Sequence, residues 1–155
     1  MSCNTTEKLF DEYVKAGDTA ASLSELSLLS KHADPRVRRR VAENVRTSEK
    51  LLTRLAIDEK ADVRIAVGTN PVTPHAIKLL LCEDPDPTVR LGLAHDVQTP
   101  ENILQALTED DNAWVAAEAR RTLEIVAHNR RLTSSCAEFT NWKKRKDEER
   151  SARMG

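Results

Sequence analysis

Asp84-Pro85-Asp86-Pro87-Thr88-Val89-Arg90-Leu91-Gly92-Leu93-Ala94 decides the fold, because its frame returns when the chain is slid against itself by 26 residues. At that step Leu29, Leu55, Leu81 and Leu107 coincide, as do Val37, Val63, Val89 and Val115, and then Val41, Val67, Leu93 and Ala119. Polar positions keep the same step in Arg38, Arg64 and Arg90, in Asn44, Asn70 and Asp96, and in Thr47, Thr73 and Thr99. Self-similarity at this period marks a solenoid, in which a small unit buries its apolar face only by stacking on the next.

Helix starts recur inside the step. Asp34-Pro35 and Asp86-Pro87 each place a side-chain acceptor at an N-cap and a proline at the first helical position, where no N–H is needed. Thr73-Pro74 and Thr99-Pro100 are read as the same device for the partner helix, with Thr47-Ser48 as its proline-free version. The expected pairs cover about 48–57 and 62–69, 74–83 and 87–95, and 100–109 and 112–128; helices of about ten residues are too short to persist without packing, and the last is the longer one. Before them, a helix over about 5–16 carries Leu9, Phe10, Tyr13 and Val14 and stops at Gly17. A second runs over about 22–31. Gly68 falls in register with Ala42 and Ala94, which predicts a close helix approach.

The reading is therefore all-α: a right-handed α-solenoid of about four 26-residue, two-helix repeats. The repeat domain spans 1–130, with a helical cap over 5–21 and repeats over about 22–130. A charged segment, 131–155, follows as a frayed helix or disordered tail, with Phe139 and Trp142 as its main apolar residues.

Composition fits packed short helices. Charged residues make up 32% and aromatics only 3%, so the core must come from Leu, Val, Ile and Ala. A net charge of -1 argues against coating nucleic acid over the whole surface. Cys3, Cys82 and Cys136 are odd in number and far apart, which predicts no disulfide framework and a reducing, cytoplasmic setting. No run approaches the roughly 20 apolar residues of a membrane span, and no apolar signal core opens the chain.

The stretch quoted above, with Thr99-Pro100-Glu101-Asn102-Ile103-Leu104, resembles the leucine-rich repeat variant family, a relative of the HEAT and armadillo α-solenoids. The likeness covers roughly residues 26–126. It implies a right-handed superhelix of paired short helices, some of them 3₁₀. It also implies an Asp–Arg pair six residues apart, present as Asp58 with Arg64 and Asp84 with Arg90. With His32 before Arg38, and Ala116 after Asp110, that ladder is expected to break at both ends. A prototype of the family carries an iron–sulfur cluster on a cysteine-rich N-terminal segment. Here Cys3 stands alone, so neither a cluster nor structural zinc is expected.

Recurrence also sorts the candidate residues. Arg38, Asp58, Arg64, Asp84 and Arg90 are the same in successive units, as a structural ladder requires. Binding is sought where units differ. With Val37 and Val41 inward, the outward positions of the second helices are 36, 40 and 43 and their equivalents Asp62, Ala66, Thr69; Thr88, Gly92, His95; and Trp114, Glu118, Arg121. Arg36, Arg40, Thr69, His95 and Trp114 form the candidate partner-binding row, with arginine and tryptophan as its anchors. Trp114 has two readings: an anchor, or a cover for the last unit beneath the C-terminal segment. Residues 31–64 are net basic and 65–118 strongly acidic, and Lys143 to Lys146 are basic again.

No catalytic constellation stands out. His32, His75, His95 and His128 are scattered, no phosphate loop or nucleophile elbow is present, and Asp96 occupies the Asn position, where capping is expected. The expected function is a non-enzymatic scaffold without cofactor, binding a protein or peptide on a concave face. The alternatives are a nucleic-acid-associated HEAT-like protein, disfavoured by the acidic middle, and a HEAT-like lyase or accessory subunit.

Overall fold

A computed structural model describes the backbone of residues 3–152 and the side chains of residues 6–133 and 138–145. Every regular element among them is an α-helix: α1 (Cys3–Gly17), α2 (Leu23–Leu29), α3 (Pro35–Glu43), α4 (Glu49–Leu55), α5 (Ala61–Thr69), α6 (His75–Cys82), α7 (Pro87–His95), α8 (Glu101–Leu107) and α9 (Ala113–Ala152). Helices α2, α4, α6 and α8 begin 26 residues apart, and so do α3, α5, α7 and α9.

Caps explain these boundaries. Asp34 and Asp86 accept from the N–H groups of Arg36 and Thr88, with Pro35 and Pro87 just inside the helices. The threonine–proline expectation needs correction. Pro74 and Pro100 themselves occupy the N-cap positions, one residue earlier in the helix than expected. The threonines before them are buried, and the Thr99 hydroxyl has no hydrogen-bond partner. The Thr47 and Thr73 hydroxyls donate to the carbonyls of Val41 and Val67, both at 2.6 Å, and so serve the preceding helix near its C-terminus.

Several helices have only seven residues, so packing must hold them. Leu26, Leu52, Leu55, Leu81 and Leu107 are buried with Val37, Val63, Val89 and Val115 in one contiguous core. Each such leucine contributes roughly 1.5–3 kcal/mol relative to exposure. Helix α3 packs on α5, α5 on α7, and α7 on α9, while α2, α4 and α6 approach one another far less. A Cβ at Gly68 would stand 3.1 Å from Leu93 Cδ2, so the small residue does mark a close approach.

Helix α1 takes part in the same register. Asn70 Nδ2 donates to the carbonyls of Ala42 and Asn44, and Asn44 Nδ2 donates to those of Ala16 and Asp18. Ala16 and Asp18 thus lie where Ala42 and Asn44 lie one step later. The expected cap is built like a second helix of a preceding unit.

At the other end, α9 runs unbroken through Arg130 to Ala152. The segment expected as a frayed helix or disordered tail is helical through Ala152, and residues 153–155 lie outside the described residues. No described helix is long and apolar enough to cross a membrane.

Candidate functional site

The recurrent arginines are internal struts. Arg38 holds Asp58 through Nε and Nη2 at 2.7 and 2.9 Å, and its Nη1 reaches the His32 carbonyl at 2.9 Å. Arg64 repeats this with Asp84 and the Asp58 carbonyl, and Arg90 with Asp110 and the Asp84 carbonyl. The expected six-residue pairing is therefore wrong in its atoms. The residue six positions earlier offers its backbone carbonyl, while the carboxylate comes from 20 residues ahead, in the next step. Because the contact runs forward, His32 does not break the ladder and Asp110 closes it. The side chains of Arg64 and Asp84 are only 13% and 5% exposed, which makes the fork a buried, charge-assisted link between steps.

One outward position was misread. Ala66 is 4% exposed, packed in the core between α5 and its neighbours. The candidate row otherwise reaches the surface: Arg36, Thr69, His95 and Trp114 are exposed and Arg40 is half-buried. Its members lie on four different helices, α3, α5, α7 and α9. Trp114 is 80% exposed at the start of α9, so nothing among the described residues lies over it as a cover. His95 Nδ1 meets Glu118 at 2.6 Å rather than Asp96, and Arg121 holds the same carboxylate. The hydrogen bonds from Arg121 and His95 lower the Glu118 pKa. Asp96 Oδ1 accepts from Gln98 N–H, as Asn44 and Asn70 do from Arg46 and Val72, so capping is its local role.

The concave feature lies at the other end of the row. A groove of about 610 Å³ opens between α1 and α3, walled by Leu9, Phe10 and Tyr13 on one side and Arg36, Arg39 and Arg40 on the other. Phe10 is 65% exposed and Tyr13 40%. The Arg40 guanidinium lies 5.6 Å from the centroid of the Tyr13 ring, a cation–π contact, and its Nη1 holds Glu43 at 3.0 Å. Its Nε is buried without a hydrogen-bond partner. Gly17 makes this seat possible, since a Cβ there would fall 2.2 Å from Arg40 Nε.

Arg36 is clamped by Asp34, whose pKa the Arg36 side-chain and backbone hydrogen bonds pull down to about 2. Arg39 uses Nε on Glu43. A guanidinium carries five N–H donors, so Arg39 and Arg40 each keep donors for an incoming acceptor.

No protein-family model, curated protein or solved structure matches the chain. Its own geometry must therefore carry the functional reading.

Sequence reasoning named Arg36 and Arg40 but assigned Phe10 and Tyr13 only to the cap. The signal for the groove is the register that makes α1 a neighbour of α3 in the same way that α3 neighbours α5. Lys78 was also missed. It stands in the leucine series Leu26, Leu52, Leu104, is 4% exposed, and places Nζ 3.6 Å from Asp96. Among the described residues no group of three or more His, Cys, Asp and Glu side chains gathers as a metal site. Burial raises the pKa of the Cys82 thiol, with Glu83 and Asp110 adding to it, which leaves it a poor nucleophile. The side chains of Cys3 and Cys136 lie outside those described.

Proposed function

We propose that this protein is a non-enzymatic interaction module, a short α-solenoid of the leucine-rich repeat variant type that holds a protein or peptide partner. The closely packed series α3, α5, α7 and α9 would line its concave side, because the layer whose helices approach most closely is the inner side of a curve. The observation that carries this reading is the groove between α1 and α3, where exposed aromatic rings stand beside arginines with unused donors. Aromatic and arginine side chains are the commonest anchors of protein interfaces. The partner expected there is an acidic segment with an apolar side chain for Leu9, Phe10 and Tyr13. Trp114 supplies a second anchor farther along the row. A cytoplasmic setting suits this reading.

The acidic middle of the chain speaks against a nucleic-acid partner, since residues 65–118 carry Glu83, Asp86, Glu109 and Asp111, which repel phosphates. Affinity capture from native extract, followed by binding of the purified partner, tests the proposal. Replacing Arg39 and Trp114 together (Arg39→Glu, Trp114→Ala) is expected to weaken association at least tenfold and to reduce its salt dependence. Both side chains are exposed, so the urea unfolding midpoint should stay where it was. Undiminished binding by this variant would move the interface elsewhere.

Gly17→Ala offers a finer probe. The added methyl displaces the Arg40 guanidinium from Tyr13, yet only the end of a flexible side chain must move. Stability is expected to stay within about 1 kcal/mol while partner affinity changes, because a loose arginine no longer presents a fixed fork.

A further inference from the structure

Helix α9 outruns the body it packs on. Val115, Ala116, Ala119 and Thr122 are buried, and Leu123, Ile125 and Val126 are half-buried. Arg130 then pairs with Glu101 on α8. Every described side chain from Ala127 onward is exposed. At 1.5 Å per residue the helix from Arg131 to Ala152 projects about 33 Å. Most helical stability comes from packing an apolar face, yet every described side chain along this stretch is exposed, and Thr133, Ser134, Ser135, Thr140 and Asn141 are weak helix formers. A helix there calls for a second element to pack on.

The projecting helix carries a seam. Leu132 and Phe139 are seven residues apart, and Trp142 comes three residues after Phe139, which is the spacing of paired helices. Leu132, Phe139 and Trp142 are 53%, 64% and 50% exposed, and the two rings stack with centroids 5.8 Å apart. Glu138 and Arg145, also seven apart, lie on one flank of that seam, and neither makes an ion pair among the described residues.

We propose that this segment pairs antiparallel with the same segment of a second copy of the chain. In an antiparallel pair like flanks face each other. Setting Phe139 against Trp142 of the second copy then brings Glu138 beside Arg145 of the second copy, and the two-fold axis repeats both contacts. A surface complementary to itself about a two-fold axis is what a closed dimer requires. An acid and a base on the same flank, symmetric about the aromatic pair, favour this occupant over an unrelated helix. The projection is long enough for the overlap to leave the two bodies at opposite ends. This surface is separate from the groove between α1 and α3, so dimerisation and partner capture fail independently.

Sedimentation equilibrium of the full chain from about 5 to about 500 µM is expected to show a monomer–dimer equilibrium, with helical ellipticity rising as dimer forms. Phe139→Ala with Trp142→Ala is expected to give a monomer with an unchanged urea midpoint for the body. Glu138→Arg alone and Arg145→Glu alone should each weaken the dimer about tenfold, and the two together should restore it. A monomer at every concentration overturns the proposal, as does a dimer that survives loss of both rings. Rescue of Glu138→Arg by Lys143→Glu instead would mean parallel helices and overturn the antiparallel arrangement.

Discussion

Arg64→Ala is expected to cost about 3–5 kcal/mol of unfolding free energy, measured by urea titration, because it leaves the buried Asp84 carboxylate without its guanidinium. The Asp58 carbonyl loses its donor at the same time. Arg64→Lys should recover little, since an ammonium cannot supply two parallel bonds to Asp84 and a third to a carbonyl. Arg64→Met with Asp84→Leu should cost far less than Arg64→Ala alone, because no charge is then left stranded. Were Arg64→Ala to unfold at the parent's midpoint, the struts would be ornamental and the arginines would return as ligand candidates.

The struts also predict a pH dependence. For Asp58, burial works to raise the pKa, but the Arg38 fork and the Lys60 N–H outweigh it and the net shift is downward. The Arg90 fork lowers Asp110 against the opposing effect of burial. A carboxyl whose folded pKa lies below its unfolded value of 3.8 contributes stability that is complete above 3.8. That contribution is lost as pH falls through the lowered folded value. Stability should therefore hold from neutral pH to about 5 and decline below about 4, with a smaller decline in Arg38→Met.

Lys78→Leu combined with Asp96→Asn is expected to stabilise the protein, by about 1–4 kcal/mol, although each change alone should cost about 3–5 kcal/mol. Two series depart from their pattern together here. Lys78 interrupts Leu26, Leu52 and Leu104, and Asp96 interrupts Asn44 and Asn70. The ammonium is 5% exposed and sits 3.6 Å from a carboxylate oxygen that is buried without a hydrogen bond. Removing one charge strands the other, whereas the double change returns a leucine to the core and an amide donor to the asparagine position. Urea unfolding of the two single variants and the double variant gives the coupling directly. A double variant less stable than either single one would show that the pair does more than offset its own burial.

Much of the fold was legible along the chain. The 26-residue step located the helix starts, because each unit meets the same neighbour and so needs the same residue at the same point. Asp34-Pro35 and Asp86-Pro87 were readable because capping acts over two residues and needs no distant partner. Gly68 was readable as a contact point, since only a small side chain fits where α5 meets α7. Thr73 and Thr99 were misplaced because a threonine before a proline satisfies the cap pattern equally well whichever way its hydroxyl turns.

What the one-dimensional pattern left open is whatever depends on how far one unit is shifted against the next. A step of 26 states that Arg64 and Asp84 each have counterparts, but not that these two meet. The stacking offset decides that the Asp58 carbonyl, rather than its carboxylate, faces Arg64. The same offset sets α1 beside α3 and turns Phe10 and Tyr13 into the wall of a groove. Composition, caps and core spacing act within about one helical turn and are written in the order of residues. The pairing of buried charges and the shape of a cleft arise only when separate helices come within a few ångströms of each other, and that distance belongs to the tertiary structure alone.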